Sequence, residues 1–106
     1  MKLEKKILES YLNKLSKKGK IVYGTKEVID ELKGSKAVIV SENLEHKMSQ
    51  KLLRDCKKLS IPFIEYEGSS MELGKAVGKN FRISTFSIKS TGGYELKEIL
   101  HEGTKS

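Results

Sequence analysis

Leu3, Ile7, Tyr11 and Leu15 recur every four residues, with Leu8 and Leu12 beside them. That spacing lays one apolar stripe along a helix and predicts an amphipathic α-helix over 3–18. Gly19 stands where a C-terminal cap belongs. Residues 20–23 then read as a short strand. A second helix is expected over 25–33, with Val28, Ile29 and Leu32 as its apolar stripe and Gly34 as its stop. The run Ala37-Val-Ile-Val40 is too short and too β-branched for a helix, and predicts a buried strand. Met48, Leu52, Leu53, Cys56 and Leu59 form the inward face of a third helix over 45–59. Residues 61–67 read as a strand, with Pro62 tolerated near its start. Ser69 and Glu72 have capping-box spacing and open a fourth helix that Gly78 ends. Residues 82–89 are the last expected strand. Thr91-Gly-Gly93 is a turn, 95–100 a short helix, and 101–106 a loose end.

Strands thus alternate with helices at short spacing, which predicts an α/β or α+β three-layer sandwich around one small sheet. The chain has 106 residues, with no internal repeat and no low-complexity linker, so residues 1–106 are expected to form a single domain. No apolar run approaches 18 residues, and Met1-Lys-Leu-Glu-Lys-Lys6 lacks the apolar stretch of a signal peptide. The single cysteine, Cys56, has no disulfide partner within the chain, which fits a reducing, cytoplasmic setting.

Charge changes the picture more than composition does. The formal net charge is +7, an excess that points to a polyanionic partner: nucleic acid first, an anionic membrane surface second. Seven lysines against Glu4 and Glu9 place much of it in residues 1–20, and the remainder reads as spread along the chain.

Catalytic chemistry finds little footing. Gly68-Ser-Ser-Met-Glu-Leu-Gly74-Lys75-Ala76 resembles a P-loop at a glance. Five residues separate its glycines instead of four, and Ala76 stands where a Ser or Thr must hold magnesium. A Rossmann glycine fingerprint is missing. His46 and His101 are isolated, so neither zinc spacing nor a nucleophile–histidine–acid set can be drawn. Cys56 lies on the apolar stripe of its helix as a core residue. No enzyme, cofactor or metal site is expected.

Three stretches do suggest ligand chemistry. At Gly24-Thr25-Lys26-Glu27 the chain turns from strand to helix, and a lysine sits at a helix start whose free N–H groups are already positive. A docked phosphate would neutralise both. Thr25 can cap the helix, and Glu27 can accept hydrogen bonds from a base. The plain alternative is an ordinary strand–helix connection. Phe81 stands in a polar loop beside Lys79 and Arg82, which suits either base stacking with phosphate contact or closure of the core at the start of a strand. Asn43 follows the central strand, where α/β sheets present ligands, and can donate and accept to a base edge or cap a helix.

These stretches agree in combination with one family. "GKIVYGTKEVIDELK" (19–33), "KAVIVSENL" (36–44), "IPFIEYEGSSMELGKAVGK" (61–79) and "FRISTFSI" (81–88) resemble the kink-turn-binding ribosomal-protein superfamily, closest to its archaeal and eukaryotic thirty-e branch of the large subunit. The resemblance covers about residues 7–100, and Glu-Leu-Gly-x-x-x-Gly (72–78) with the Gly24 turn is its most specific part. It implies an α-β-α sandwich with a four-stranded mixed sheet. It also implies binding to sharply bent, internally looped ribosomal RNA, in company with other ribosomal components in the cytoplasm. The charge excess carries no oligomer signal, so a monomer within the larger particle is the default expectation. Carried over by position, Gly24–Glu27 would hold the RNA backbone and the bases of the kink. Asn43 falls on a family asparagine, and Phe81 falls where an apolar residue meets an extruded base, with Arg82 beside it.

The broader kink-turn binders carry Gly-x-Asn-Glu followed three residues on by lysine. Here Lys26 and Asp30 stand at the asparagine and lysine positions. Lys26 suits the ribosomal branch and points away from a guide-particle role. The rival readings are another kink-turn module, of a guide particle or ribonuclease P, and a protein–protein adaptor whose basic face is incidental.

Overall fold

The computed structural model describes residues 2–3 and 5–90. The expected turn at 91–93, helix at 95–100 and loose end at 101–106 lie outside the described residues. The elements are β1 (Lys2–Leu3), α1 (Lys5–Lys18), β2 (Lys20–Tyr23), α2 (Thr25–Asp30), β3 (Ala37–Val40), α3 (His46–Lys58), β4 (Phe63–Tyr66), α4 (Ser70–Ala76) and β5 (Thr85–Ser90). The sheet runs β1-β4-β3-β5-β2. Strands β1, β4 and β3 are parallel, while β5 runs antiparallel to both β3 and β2. The expected four-stranded mixed sheet is therefore present, extended at one edge by the two residues of β1.

Alternation along the strands sorts the core into two faces, as a period of two requires. Ala37 and Ile39 of β3, Ile64 and Tyr66 of β4, and Phe86 and Ile88 of β5 meet Leu12 and Leu15 of α1 and Leu73 of α4. On the other side, Val38, Val40 and Phe63 meet Val28 of α2 and Leu52 and Cys56 of α3. The result is the α-β-α sandwich: α1 and α4 on one face, α2 and α3 on the other.

Several boundaries move for physical reasons. Leu3 leaves the expected first helix because its backbone pairs with Tyr66, covering part of the outer edge of β4. Helix α2 stops at Asp30 rather than at residue 33. The Lys89 ammonium donates to the carbonyls of Glu31 and Lys33, giving that chain end partners outside a helix. Leu32 stays buried without being helical. Leu59, expected inward, is 45% exposed just past the end of α3. The last strand begins at Thr85 instead of residue 82, leaving Arg82–Ser84 as a loop. The capping box of α4 is complete: Glu72 N donates to Ser69 Oγ at 3.2 Å, and Ser69 N to Glu72 Oε1 at 3.2 Å.

Cys56 lies in the core under α3. Burial, and secondarily the Asp55 carboxylate, push its thiol up from an ordinary value near 9 to about 11. The folded protein should therefore resist iodoacetamide at pH 8 and react readily once unfolded. Because the folded value is the higher one, this group's share of stability is full below about pH 9 and is lost as pH rises through about 11. Fast labelling of the native state would show that the α3 contact opens.

Candidate nucleic-acid interface

Strands β2 and β3 end, and β5 begins, at one end of the sheet: Tyr23 pairs with Phe86, and Val40 with Thr85. The chain leaving β2 turns there through Gly24, with φ at +100°. Residues with a Cβ are strained in that region, so a glycine is needed for the strand to run directly into α2. Gly24 N donates to the Thr85 carbonyl at 3.0 Å, and Val28 N to the Gly24 carbonyl at 2.9 Å.

Thr25 does not cap the helix as the sequence suggested. Gly24 occupies the cap position with no side-chain bond. The Thr25 hydroxyl instead donates to Thr85 Oγ1 at 3.0 Å, across 60 residues of sequence. Thr85 and Ser87 are fully buried, and their small side chains let the short helix α2 sit close against β5. The Glu27 carboxylate folds back so far that a Cβ on Gly24 would collide with it. An anion arriving at this helix start meets that carboxylate first. Base donors are therefore better partners for it than phosphate, and the six residues of α2 give only a small dipole to oppose it.

The opposite wall is the segment after α4. Its approach is close: a Cβ on Gly74 would collide with the Phe81 carbonyl oxygen and lie 3.2 Å from the Phe81 carbonyl carbon. Two backbone bonds hold the segment there, Lys79 N to the Gly74 carbonyl at 2.9 Å and Ile83 N to the Ser70 carbonyl at 3.0 Å. Gly74 thus explains the first glycine of the Glu-Leu-Gly-x-x-x-Gly motif. Phe81 is 51% exposed, so it does not close the core; Ile83, two residues on, does that.

Between these walls lies a groove of about 480 Å³, lined by Tyr23, Gly24, Thr25, Glu27, Phe81, Arg82, Ile83 and Ser84. Lys26 is exposed beside it, and the Lys79 ammonium lies 5.4 Å from the centre of the Tyr23 ring. Burial pushes the Tyr23 phenol up from its ordinary value. The groove therefore offers an exposed aromatic, three surrounding cations and one carboxylate.

Of the sequence-derived candidates, Gly24, Thr25, Glu27, Phe81 and Arg82 line this one groove, with Lys26 and Lys79 at its margin. Asn43 stands apart. Its Oδ1 accepts from Ser70 N at 2.6 Å, and its own N–H donates to Ser41 Oγ at 3.3 Å. Its carbonyl thus pins the β3 loop to the start of α4, leaving its amide N–H₂ as the group that could reach a base. Tyr23, Ile83 and Ser84 were missed as site residues. Tyr23, an aromatic directly before the turn glycine, carried the one usable signal. A second cavity, of about 450 Å³, opens beyond β3 and β4 and includes Glu42, Glu65 and Glu67. Its carboxylates disfavour a polyanion.

Comparison with known proteins agrees with the fold and the motifs. Residues 6–98 match the model of the "Ribosomal protein L7Ae/L30e/S12e/Gadd45 family". The large ribosomal subunit protein eL30 of Saccharolobus solfataricus is 38% identical over 96 residues, covering 89% of each chain. That of Sulfurisphaera tokodaii is 36% identical over 99 residues, covering 92% of this chain and 93% of its own. A structure of a Bacillus halodurans protein of unknown function superposes with a TM-score of 0.71 over 95% of this chain and 96% of its own. At 21% identity it speaks for the fold alone.

Proposed function

The chain belongs to the ribosomal protein L7Ae/L30e/S12e/Gadd45 family, and we propose that it is a structural, RNA-binding component of the large ribosomal subunit that grips a kinked, internally looped RNA. It is not an enzyme: its relatives are ribosomal proteins, and its place is on the cytoplasmic ribosome among other ribosomal components. The observation that carries the RNA reading is the convergence of the Gly24 turn and the Phe81 loop, far apart in sequence, on one groove.

In this reading Phe81 stacks on an unpaired base splayed out at the kink. Glu27 accepts hydrogen bonds from base N–H groups, while Gly24 lets the RNA approach the backbone. Lys26, Lys79 and Arg82 neutralise phosphates that the bend crowds together. Asn43 would add a contact through its free amide. Recognition is then largely by shape, with a few bases read directly.

A filter-binding titration tests it. A kinked, internally looped RNA is compared with a fully paired duplex of equal length, at low and physiological salt. Preference for the kinked RNA that survives physiological salt is expected. Equal, salt-labile binding to both would sink the reading and favour the protein–protein adaptor. In the same assay Lys26→Ala should weaken binding and reduce the salt slope by about one charge. An unchanged slope would remove Lys26 from the phosphate contacts.

A further inference from the structure

The groove holds little of the charge excess. Its three cations, Lys26, Lys79 and Arg82, are opposed by Glu27. Helix α3, which contributes nothing to the groove, carries five Lys or Arg residues against Asp55 alone, a formal +4 beside the chain's +7. The excess outside residues 1–20 is therefore concentrated here, not spread along the chain.

Four of these cations lie in line. Lys47, Lys51, Arg54 and Lys58 are spaced i, i+4, i+7 and i+11, which puts them on one narrow face of the helix, about 16 Å long. All four are exposed, on the side opposite the buried Leu52 and Cys56. The flank has one counter-charge, Asp55, 3.1 Å from the Lys51 ammonium. Such pairs at the surface contribute little and give way to a stronger anion. At the end of the row Leu59 offers an exposed apolar surface.

We propose that α3 is a second RNA-binding surface, on which Lys47, Lys51, Arg54 and Lys58 follow the phosphate backbone of a paired RNA segment other than the one seated in the groove. The inference extends the RNA reading above and rests on it. A straight row of evenly spaced cations suits a polymer whose charges are themselves evenly spaced. A membrane surface fits less well, because the apolar face that a helix would insert into lipid is already packed in the core. The protein would then clamp two RNA elements, with the groove recognising the kink and α3 adding sequence-independent attraction.

The test uses a variant neutralised at the row, Lys47→Gln, Lys51→Gln, Arg54→Gln and Lys58→Gln, and a control with the three lysines changed to arginine. Glutamine keeps the helix propensity, and circular dichroism melts verify the fold of both. The protein, free and saturated with a short kinked RNA, is titrated with a labelled paired RNA of about 20 base pairs. Four phosphate contacts predict duplex binding that falls about 100-fold between 50 and 200 mM salt. The neutralised variant should bind the duplex more than tenfold more weakly at 50 mM salt and lose most of that slope. The arginine control should bind like the parent, and affinity for the short kinked RNA should not change.

Duplex binding that survives neutralisation would overturn the proposal. So would a duplex that displaces the kinked RNA, since both would then share one surface, or a clear preference for phosphatidylserine vesicles over duplex. Failure of the groove reading shows separately, as absent preference for the kinked RNA in both parent and variant. The free-protein titration still reads α3 in that case.

Discussion

Gly74→Ala should destabilise the protein and abolish selective RNA binding together, although alanine is the better helix former. In an open helix the exchange would stabilise by up to about 1 kcal/mol. Here the new methyl group points into the Phe81 carbonyl, which is backbone and cannot rotate away. Overpacking of this kind costs about 1–3 kcal/mol. Moving the segment aside also strains the bonds from Lys79 N to Gly74 and from Ile83 N to Ser70, each contributing about 0.5–1.5 kcal/mol. The losses outweigh the propensity gain, and a melting point lower by about 5–15 °C is expected for a domain of this size. Phe81 and Arg82 ride on the displaced segment, so kinked-RNA affinity should fall further than after either is truncated alone. Measured well below the melting point, that loss separates displacement of the groove wall from unfolding. A Gly74→Ala protein as stable as the parent would mean that the loop does not lie against α4 as described.

The same glycine shows what the sequence could and could not yield. Strands and helices were legible because apolar periods of two and of nearly four are imposed by a two-sided sheet and by half-buried helices. Strands β2 and β3 fall where those patterns place them, and the Ser69–Glu72 capping box is present as spaced. Local signals failed where a distant partner decides. Lys89 supplies the partner at the end of α2, Thr85 takes the hydroxyl that Thr25 would have offered as a cap, and β4 draws Leu3 into a strand. Leu59 fits the apolar stripe of α3, yet the helix ends at Lys58 and leaves it exposed as the cap residue. The candidate site was legible as separate pieces, because glycine, lysine and an aromatic amid polar neighbours each stand out locally. That two of the pieces form one groove, and that Asn43 is tied to α4, follow only from the way the sheet and α4 bring them together. The cation row on α3 is present in the i, i+4, i+7, i+11 spacing, opposite the inward face expected of that helix, but reading the remaining charge as spread along the chain passes over it.

Phe81→Ala separates binding from stability more sharply than any other single change in the groove. With half its surface exposed, the ring contributes only modestly to the folded protein, and truncation should lower stability by about 1 kcal/mol. If a base stacks on it, the loss in binding is about 1–3 kcal/mol, or about 5- to 150-fold in Kd. Phe81→Tyr should bind nearly as well as the parent, because it keeps the ring face. Phe81→Leu should fall between, because it keeps apolar area without a stacking plane. Affinity for a fully paired duplex should not change in any of the three, since a duplex offers no extruded base, and the salt slope should stay at the parent value because no charge is removed. That pattern distinguishes stacking from electrostatics at the neighbouring Lys79 and Arg82. If Phe81→Ala lowers the melting point but leaves kinked-RNA affinity intact, the ring supports the loop and the base-stacking role is wrong. The groove would then recognise RNA through Glu27, Arg82 and backbone contacts alone.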